Sequence, residues 1–158
     1  MASLILWHGS KETICAFRPE MTVDRGFHCG SKEQAEMRNA AVLHKVELDI
    51  TNVRRCRDRG GDWAGRIADA RRRGFSAIVY LNRWEGIPVE RIDHLSRTGQ
   101  LDQLDRLGDR AFKRLVPEAQ DSYIALSPDT VRILETIVRD REPDIPIVGE
   151  KSELPFPY

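Results

Sequence analysis

The sequence lacks several features that would assign the protein to a class at once. Its 158 residues contain no apolar run approaching the roughly 18 residues that a membrane-spanning helix needs. The N-terminal residues lack the basic start of a signal peptide. Lys and Arg number 25, as do Asp and Glu, so no overall field attracts nucleic acid or anionic lipid. These absences predict a soluble, cytoplasmic protein that recognises its partners locally and has no membrane partner.

Cysteine is scarce, and the common cofactor motifs are missing. Cys15, Cys29 and Cys56 are odd in number and never at CxxC spacing, so we expect reduced thiols. There is no GxGxxG or GxxxxGK[ST] motif, which argues against Rossmann and P-loop enzymes, and no GxSxG motif supports a serine hydrolase. The four histidines never stand four residues apart around a glutamate, so no metal site is expected.

Short apolar runs between polar residues predict buried strands. Alternating apolar and acidic residues in Val46–Ile50 predict a further, half-buried strand. Each buried run is followed by polar residues, which is where a site is often built. The three buried runs are Leu4–Trp7, Ala77–Leu81 and Tyr123–Leu126.

Two helix starts are well marked. Ser31 and Gln34 form a capping box, and helix formers and apolar residues continue as far as Leu43. A second helix is predicted over Asp62–Arg73, where apolar residues recur three or four apart and Gly74 follows as the C-terminal cap.

The rest of the chain is charged or rich in proline. Val89–Val116 carries apolar residues at near-helical spacing and predicts two helices broken near Thr98. Residues 143–158 contain four prolines and predict an extended tail. Because strands and helices alternate irregularly, without a βαβ rhythm, we expect a single α+β domain over residues 1–158.

The first two candidate binding segments lie at predicted strand ends. His8 and Ser10 are suited to hydrogen bonding a ribose hydroxyl or a carboxamide, while Gly9 lets a ligand approach the backbone. The alternative for this segment is a simple turn. Phe27 and His28 precede the capped helix, where an aromatic ring could stack on a flat ligand or simply belong to the core.

The third candidate segment follows Ala77–Leu81 and contains Glu85. A carboxylate there could stabilise developing positive charge and accept a proton, or it could lie in a solvated loop paired with Arg83. A basic cluster over residues 54–59 is interrupted by acidic residues, and we interpret it as a mobile solvated loop.

Taken together, these segments resemble the ADP-ribosyltransferase superfamily. The resemblance runs from about Leu4 to Leu134, and the stretch from Val89 to Gln120 is unmatched. Leu6–Ser10 resembles the first NAD-binding strand, closest to the poly(ADP-ribose) polymerase branch. Three further segments are similar to small bacterial and phage domains of this type. They are Phe27–Ser31 with Gln34 and Ala35, Gly74–Tyr80 with Asn82, Glu85 and Gly86, and Asp121–Ile124.

The resemblance implies a split β-sandwich that holds NAD, as substrate, in a cleft between two sheets. It implies that His8 binds the adenosine-side ribose, that the Gly9 backbone binds the nicotinamide carboxamide, and that Ser10 assists. Phe27 or Tyr80 would stack on nicotinamide. His28 and Ser122 complete the expected NAD-binding set, and no metal takes part.

One departure from the family affects the expected chemistry. Ser122 stands where polymerase-type members have a catalytic glutamate, and Asp121 should face the opposite side of the strand. Glu85 is therefore the expected catalytic carboxylate. The expected reaction is transfer of one ADP-ribose unit to a macromolecule, a protein rather than a nucleic acid, or to water.

Three other functions remain open at this stage. Ser122 is compatible with a catalytically inactive NAD-binding or interaction module on the same fold. The basic residues 54–59 are compatible with an RNA 2′-phosphotransferase. Val89–Val116 is compatible with a partner-binding adaptor. In the family picture, residues 89–120 are a helical insertion, acting as a lid or as a helix pair packed on the core.

Overall fold

The computed structural model describes residues 2–139. As predicted, these residues form an α+β fold, with two β-sheets and four short α-helices. The strands are β1 (Ser3–Ser10), β2 (Phe27–Cys29), β3 (Val42–Asp49), β4 (Val53–Arg55), β5 (Ala77–Leu81), β6 (Asp121–Ala125) and β7 (Val131–Val138). The helices are α1 (Lys32–Met37), α2 (Trp63–Arg72), α3 (Val89–Arg97) and α4 (Asp109–Leu115), with 3-10 turns at Pro19–Met21, Leu101–Arg106 and Pro128–Thr130.

The two sheets meet at one point of backbone pairing. One sheet is antiparallel in the order β1-β3-β7, and the other is mixed in the order β2-β6-β5-β4. Trp7 at the edge of the first sheet exchanges two backbone hydrogen bonds with Gly30, just after β2, at 2.8 and 2.9 Å. The sheets therefore diverge from a shared edge, and the candidate site forms beside that edge.

The main core fills the space between the sheets. Alternation along each strand directs one set of apolar side chains inward, and close packing there supplies most of the stabilisation. The first sheet contributes Leu6, Val46 and Leu48, and the second contributes Phe27, Cys29, Ala77 and Ala125. A second cluster packs Ile67 and Ala70 of α2 against the other face of the mixed sheet.

Strand β1 is longer than predicted. His8, Gly9 and Ser10 were expected in a turn after the strand, but they are part of β1. They pair with β3 in register, with His8 opposite His44. The reason is that β3 begins at Val42 and offers a continuous ladder of backbone partners to the end of β1.

The capped helix α1 is shorter than predicted. Ser31 and Gln34 make both bonds of the capping box, which confirms the helix start. The helix ends at Met37, however, because Asn39 adopts a left-handed conformation with φ of 51°. Leu43, expected to continue the helix, lies in β3.

The first half of the basic cluster is a strand and not the loop that its charge pattern indicated, whereas residues 56–59 have no regular secondary structure. Arg54 and Arg55 lie in β4, which pairs with β5 in parallel and forms one βαβ unit with α2. No such unit was expected from the sequence. Arg54 contacts Asp69 at 2.6 Å, and Arg55 binds Asp121 at 2.8 Å. These ion pairs engage two of the four arginines of the cluster, and the phosphotransferase alternative stays a prediction.

Residues 89–116 fold into α3, a 3-10 turn and α4, so the predicted break near Thr98 is confirmed. Leu95, Phe112 and Val116 form a cluster that includes Leu81 of β5. This packing is that of a helix pair attached to the sheet, and movement as a lid stays a prediction. The expected extended tail over residues 143–158 lies outside the described residues.

Candidate functional site

A turn after β5 orients Glu85. The Asn82 side-chain oxygen accepts the backbone N–H groups of Trp84 at 3.0 Å and Glu85 at 2.9 Å, which fixes the chain as an Asx-type turn. Gly86 then has φ of 82°, and a Cβ atom there would lie 2.9 Å from Gln34 Cγ. The local sequence thus determines where the carboxylate is presented.

A buried hydrogen-bond network connects this turn to α1 and β6. The Asn82 Nδ2 group donates to Ser122 Oγ at 3.0 Å, and Ser122 Oγ donates to Gln34 Oε1 at 3.0 Å. The same Gln34 oxygen accepts the Ser31 backbone N–H, and Gln34 Nε2 donates to the Gln120 carbonyl. Gln34 therefore closes the capping box and also holds Ser122 in place.

Glu85 is paired with an arginine that the sequence did not single out. Arg38 Nη2 lies 2.8 Å from Glu85 Oε1, and Asn82 Nδ2 lies 3.3 Å from Glu85 Oε2. The alternative of an ion pair between Arg83 and Glu85 is wrong. Arg83 turns away and contacts Asp109 at 2.9 Å. Both carboxylate oxygens of Glu85 thus have fixed donors.

Five of the eight predicted site residues line one pocket around this network. Tyr80 is 4% exposed, and burial raises the pKa of its hydroxyl, an effect to which the negative charge of Glu85 adds. The phenol is therefore a neutral hydrogen-bonding group. The pocket is lined by Gly9, His28, Tyr80, Glu85 and Ser122, together with Gln34 and Arg38.

His28 is oriented by a carboxylate. Its Nε2 atom lies 2.6 Å from Asp24 Oδ2, and the other oxygen of Asp24 accepts the Gly26 N–H at 2.9 Å. Burial alone would raise the pKa of Asp24, but the hydrogen bond and charge of His28, together with backbone N–H groups such as that of Gly26, outweigh it and lower that pKa. The pair gives the pocket an imidazole of fixed orientation.

His8 in β1 and Phe27 in β2 do not line this pocket, because the side chains of successive strand residues face opposite sides of a sheet. The two rings stack on one another with centroids 4.1 Å apart. The His8 Nδ1 atom donates to the His28 carbonyl at 2.5 Å. Phe27 is only 2% exposed, so its ring has no open face for nicotinamide.

Ser10 lies on the same side as His8, in a network that serves the fold. Its hydroxyl donates to the Glu12 carbonyl at 2.5 Å and lies 3.0 Å from Nε2 of the fully buried His44. Because the hydroxyl proton of Ser10 is used in the bond to the Glu12 carbonyl, His44 Nε2 is the donor in its hydrogen bond with Ser10 Oγ. The imidazole therefore cannot act as a base toward Ser10.

Gly9 faces the pocket, but the space beside it is occupied. A Cβ atom at Gly9 would lie 2.7 Å from the Ala35 carbonyl oxygen and 2.8 Å from the Ala40 Cβ. The glycine lets the segment after α1 pack against β1, rather than leaving room for a ligand. The pocket itself has a cavity volume of about 10 Å³, which is room for about one water molecule.

Comparison with known proteins identifies no relative. No protein-family model matches the chain, and neither a curated protein nor a solved structure is significantly similar to it. Among residues 2–139, no three potential metal-ligating side chains cluster together. No helix within that range is long and apolar enough to cross a membrane.

Three residues of the site were missed as site residues by sequence reasoning. Gln34 was recognised only as a helix cap, and Asn82 only as part of a loop. The spacing of Asn82 and Glu85, three residues apart after a buried strand, is a usable signal for the Asx-type turn. Arg38 has no local signal, because its contact with Glu85 depends on how α1 packs.

Proposed function

We propose that the protein is an ADP-ribosyltransferase with a split β-sandwich fold, which cleaves NAD and transfers one ADP-ribose unit to a macromolecule or to water. The observation that carries the proposal is the carboxylate of Glu85, held by Asn82 and Arg38 beside the junction of the two sheets. A carboxylate held in a fixed position is the group that the proposed chemistry requires. The order of motifs along the chain supports the same assignment.

In the proposed reaction, the bond between ribose C1′ and the nicotinamide nitrogen breaks, and its electron pair leaves with nicotinamide. The ribose develops oxocarbenium-like positive charge, which the Glu85 carboxylate stabilises. A nucleophilic oxygen of the acceptor forms the new bond to C1′ and loses its proton to Glu85. Bonds and charge balance without a change in oxidation state.

NAD binding requires a change from the closed arrangement. A dinucleotide is far larger than one water molecule, and the pocket has a cavity volume of only about 10 Å³. Arg38 also occupies one side of Glu85. In the proposed cycle, the segment carrying Arg38 moves away from Glu85 when NAD enters, and the guanidinium then becomes available to the substrate phosphates.

The same closed pocket favours a second candidate, a catalytically inactive module on this fold. In that case the ion pair of Arg38 and Glu85 is a permanent structural contact. The two candidates differ in whether nicotinamide is released, which a direct assay resolves.

The test measures nicotinamide release from NAD by the wild-type protein and by Glu85→Gln. We expect the variant to lose at least about 100-fold in turnover, because the amide neither stabilises the cation nor accepts the proton. The control is Glu90→Gln, which removes an exposed carboxylate in the first turn of α3 and should keep wild-type turnover.

The outcomes separate the candidates. Wild-type turnover in Glu85→Gln would contradict the role of Glu85. Calorimetric binding of NAD without nicotinamide release would favour the inactive module. Absence of both binding and release would contradict both candidates. Mass spectrometry of the protein with NAD and cell lysate would show which macromolecule gains an ADP-ribose unit.

A further inference from the structure

A second cleft lies across strand β6 from the Glu85 site. Asp121 lines this cleft, whereas its neighbour Ser122 lines the Glu85 pocket, because successive strand residues point to opposite faces. The cleft lies between the mixed sheet and α4 and has a volume of about 580 Å³. This volume is within the range of about 300–1,000 Å³ that is usual for small-molecule sites.

Helix α4 presents a basic face to the cleft. Arg110, Lys113 and Arg114 are spaced three and four residues apart, which places them on one side of the helix, and all three line the cleft. Phe112 on the opposite side is 1% exposed and anchors the helix to the core. The basic face is therefore held in a fixed position by packing.

The carboxylates of the cleft already have partners. Asp121 accepts two hydrogen bonds from Arg55, at 2.8 and 3.1 Å, and Asp109 contacts the buried Arg83 at 2.9 Å. In contrast, Arg110 and Arg114 make no hydrogen bond or ion pair with another described residue. The cations of α4 are thus left without compensating charge within residues 2–139.

We infer that this cleft binds a phosphate ester of nucleotide size. Two guanidinium groups can each donate paired hydrogen bonds to phosphate oxygens, and the nearby ammonium of Lys113 adds a third positive charge. A phosphomonoester carries about two negative charges near neutral pH, and a nucleic-acid strand carries one on each successive phosphate, whereas a single carboxylate carries one. Phosphate therefore matches the excess charge of the cleft better than an acidic side chain does.

The phosphate could come from a free nucleotide or from a nucleic-acid strand. The test is a titration of the isotopically labelled protein, followed by NMR, with inorganic phosphate, ADP, adenosine and a short single-stranded oligonucleotide as probes. We expect ADP to shift amide signals of α4 and the start of β6, and adenosine to leave them unchanged. The spectra also report whether each variant is folded.

The decisive variant is the double substitution Arg110→Gln with Arg114→Gln. It should weaken ADP binding at least about tenfold, because it removes both free guanidinium groups. The matched control is Arg18→Gln with Arg97→Gln, which removes the same charge from exposed positions outside the cleft and should leave binding unchanged.

Each outcome has a defined meaning. Oligonucleotide binding about tenfold tighter than ADP, with a steep salt dependence, supports the cleft and identifies a nucleic acid as the source. Equal affinity for ADP and the oligonucleotide supports the cleft and identifies a free nucleotide as the source.

Other outcomes would overturn the inference. One is equal weakening of ADP binding by both double variants, and another is tighter binding of poly-glutamate than of ADP. If ADP binds only in the Glu85 pocket, the amide signals of α1 would shift instead of those of α4, and the double α4 variant would bind ADP as tightly as the wild type. That result would also overturn the inference.

Discussion

The partly buried ring of His8 should make the stability of the protein depend on pH. Burial lowers the pKa of His8 from 6.5 to about 3, and the hydrogen bond to the His28 carbonyl opposes this shift only in part. Because the folded-state pKa is lowered, the unfolded chain takes up the proton first as the pH falls. The contribution of His8 is complete above pH 6.5 and is lost between pH 6.5 and about 3.

The size of the loss follows from the pKa difference. Each pH unit below 6.5 costs about 1.4 kcal/mol of unfolding free energy until the folded-state pKa is reached. At about pH 5 the loss from His8 is therefore about 2 kcal/mol. Burial also lowers the pKa of His44, so the wild-type protein should lose more than this in total.

The assay is urea unfolding of the wild type and of His8→Gln at about pH 7.5 and pH 5. Glutamine can still donate to the His28 carbonyl but does not titrate, so the variant should lose about 2 kcal/mol less on acidification. His94→Gln, at an exposed position of α3, should behave as wild type. An identical loss in wild type and His8→Gln would refute the reasoning.

Two further substitutions test the framework of the site. Arg83→Met should lower the free energy of unfolding by about 3 kcal/mol, because it leaves Asp109 without its buried partner; a loss below about 1 kcal/mol in urea unfolding would contradict this. Gly30→Ala should destabilise the protein by about 1–3 kcal/mol in thermal unfolding, since the new Cβ would lie 2.0 Å from Gln34 Oε1. Gly65→Ala is the matched control. Gly65 lies in the first turn of α2, and a Cβ there would meet no atom within 4 Å, so this variant should be neutral or stabilising. Equal effects of the two alanines would rule out the steric explanation.

The elements that could be predicted are those with a local cause. The run Ala77–Leu81 is buried at every position, and a wholly apolar pentapeptide has that preference wherever it lies in a fold. The capping box of Ser31 and Gln34 formed because both bonds join residues three apart. Helix α2 was predicted to within a residue at each end for the same reason.

The predictions of secondary structure that were wrong concern segments whose structure depends on residues far away in the sequence. Strand β4 has only three residues, two of them arginines, and it exists because β5 and the carboxylates of Asp69 and Asp121 lie beside it. The end of β1 was mistaken for a turn because its partner strand begins more than thirty residues later. The stop of α1 was missed because no proline or glycine marks it.

For the candidate site, the sequence alone determined the chemistry available and the local presentation of Glu85. It placed a carboxylate after a buried strand, in a turn that Asn82 specifies through its own backbone neighbours. Such contacts span two or three residues and form wherever that segment is located.

Only the tertiary structure decided which of these groups meet. The hydrogen bond from Ser122 to Gln34 joins residues 88 apart, and the ion pair of Glu85 with Arg38 depends on how α1 packs against the sheets. The strand alternation that directs Gly9 to the pocket directs His8 and Ser10 to the other face. Neighbouring residues of one sequence motif therefore lie on opposite faces of the sheet once its strand is paired. The basic cleft beside α4 likewise exists only because Phe112 anchors the helix to the core.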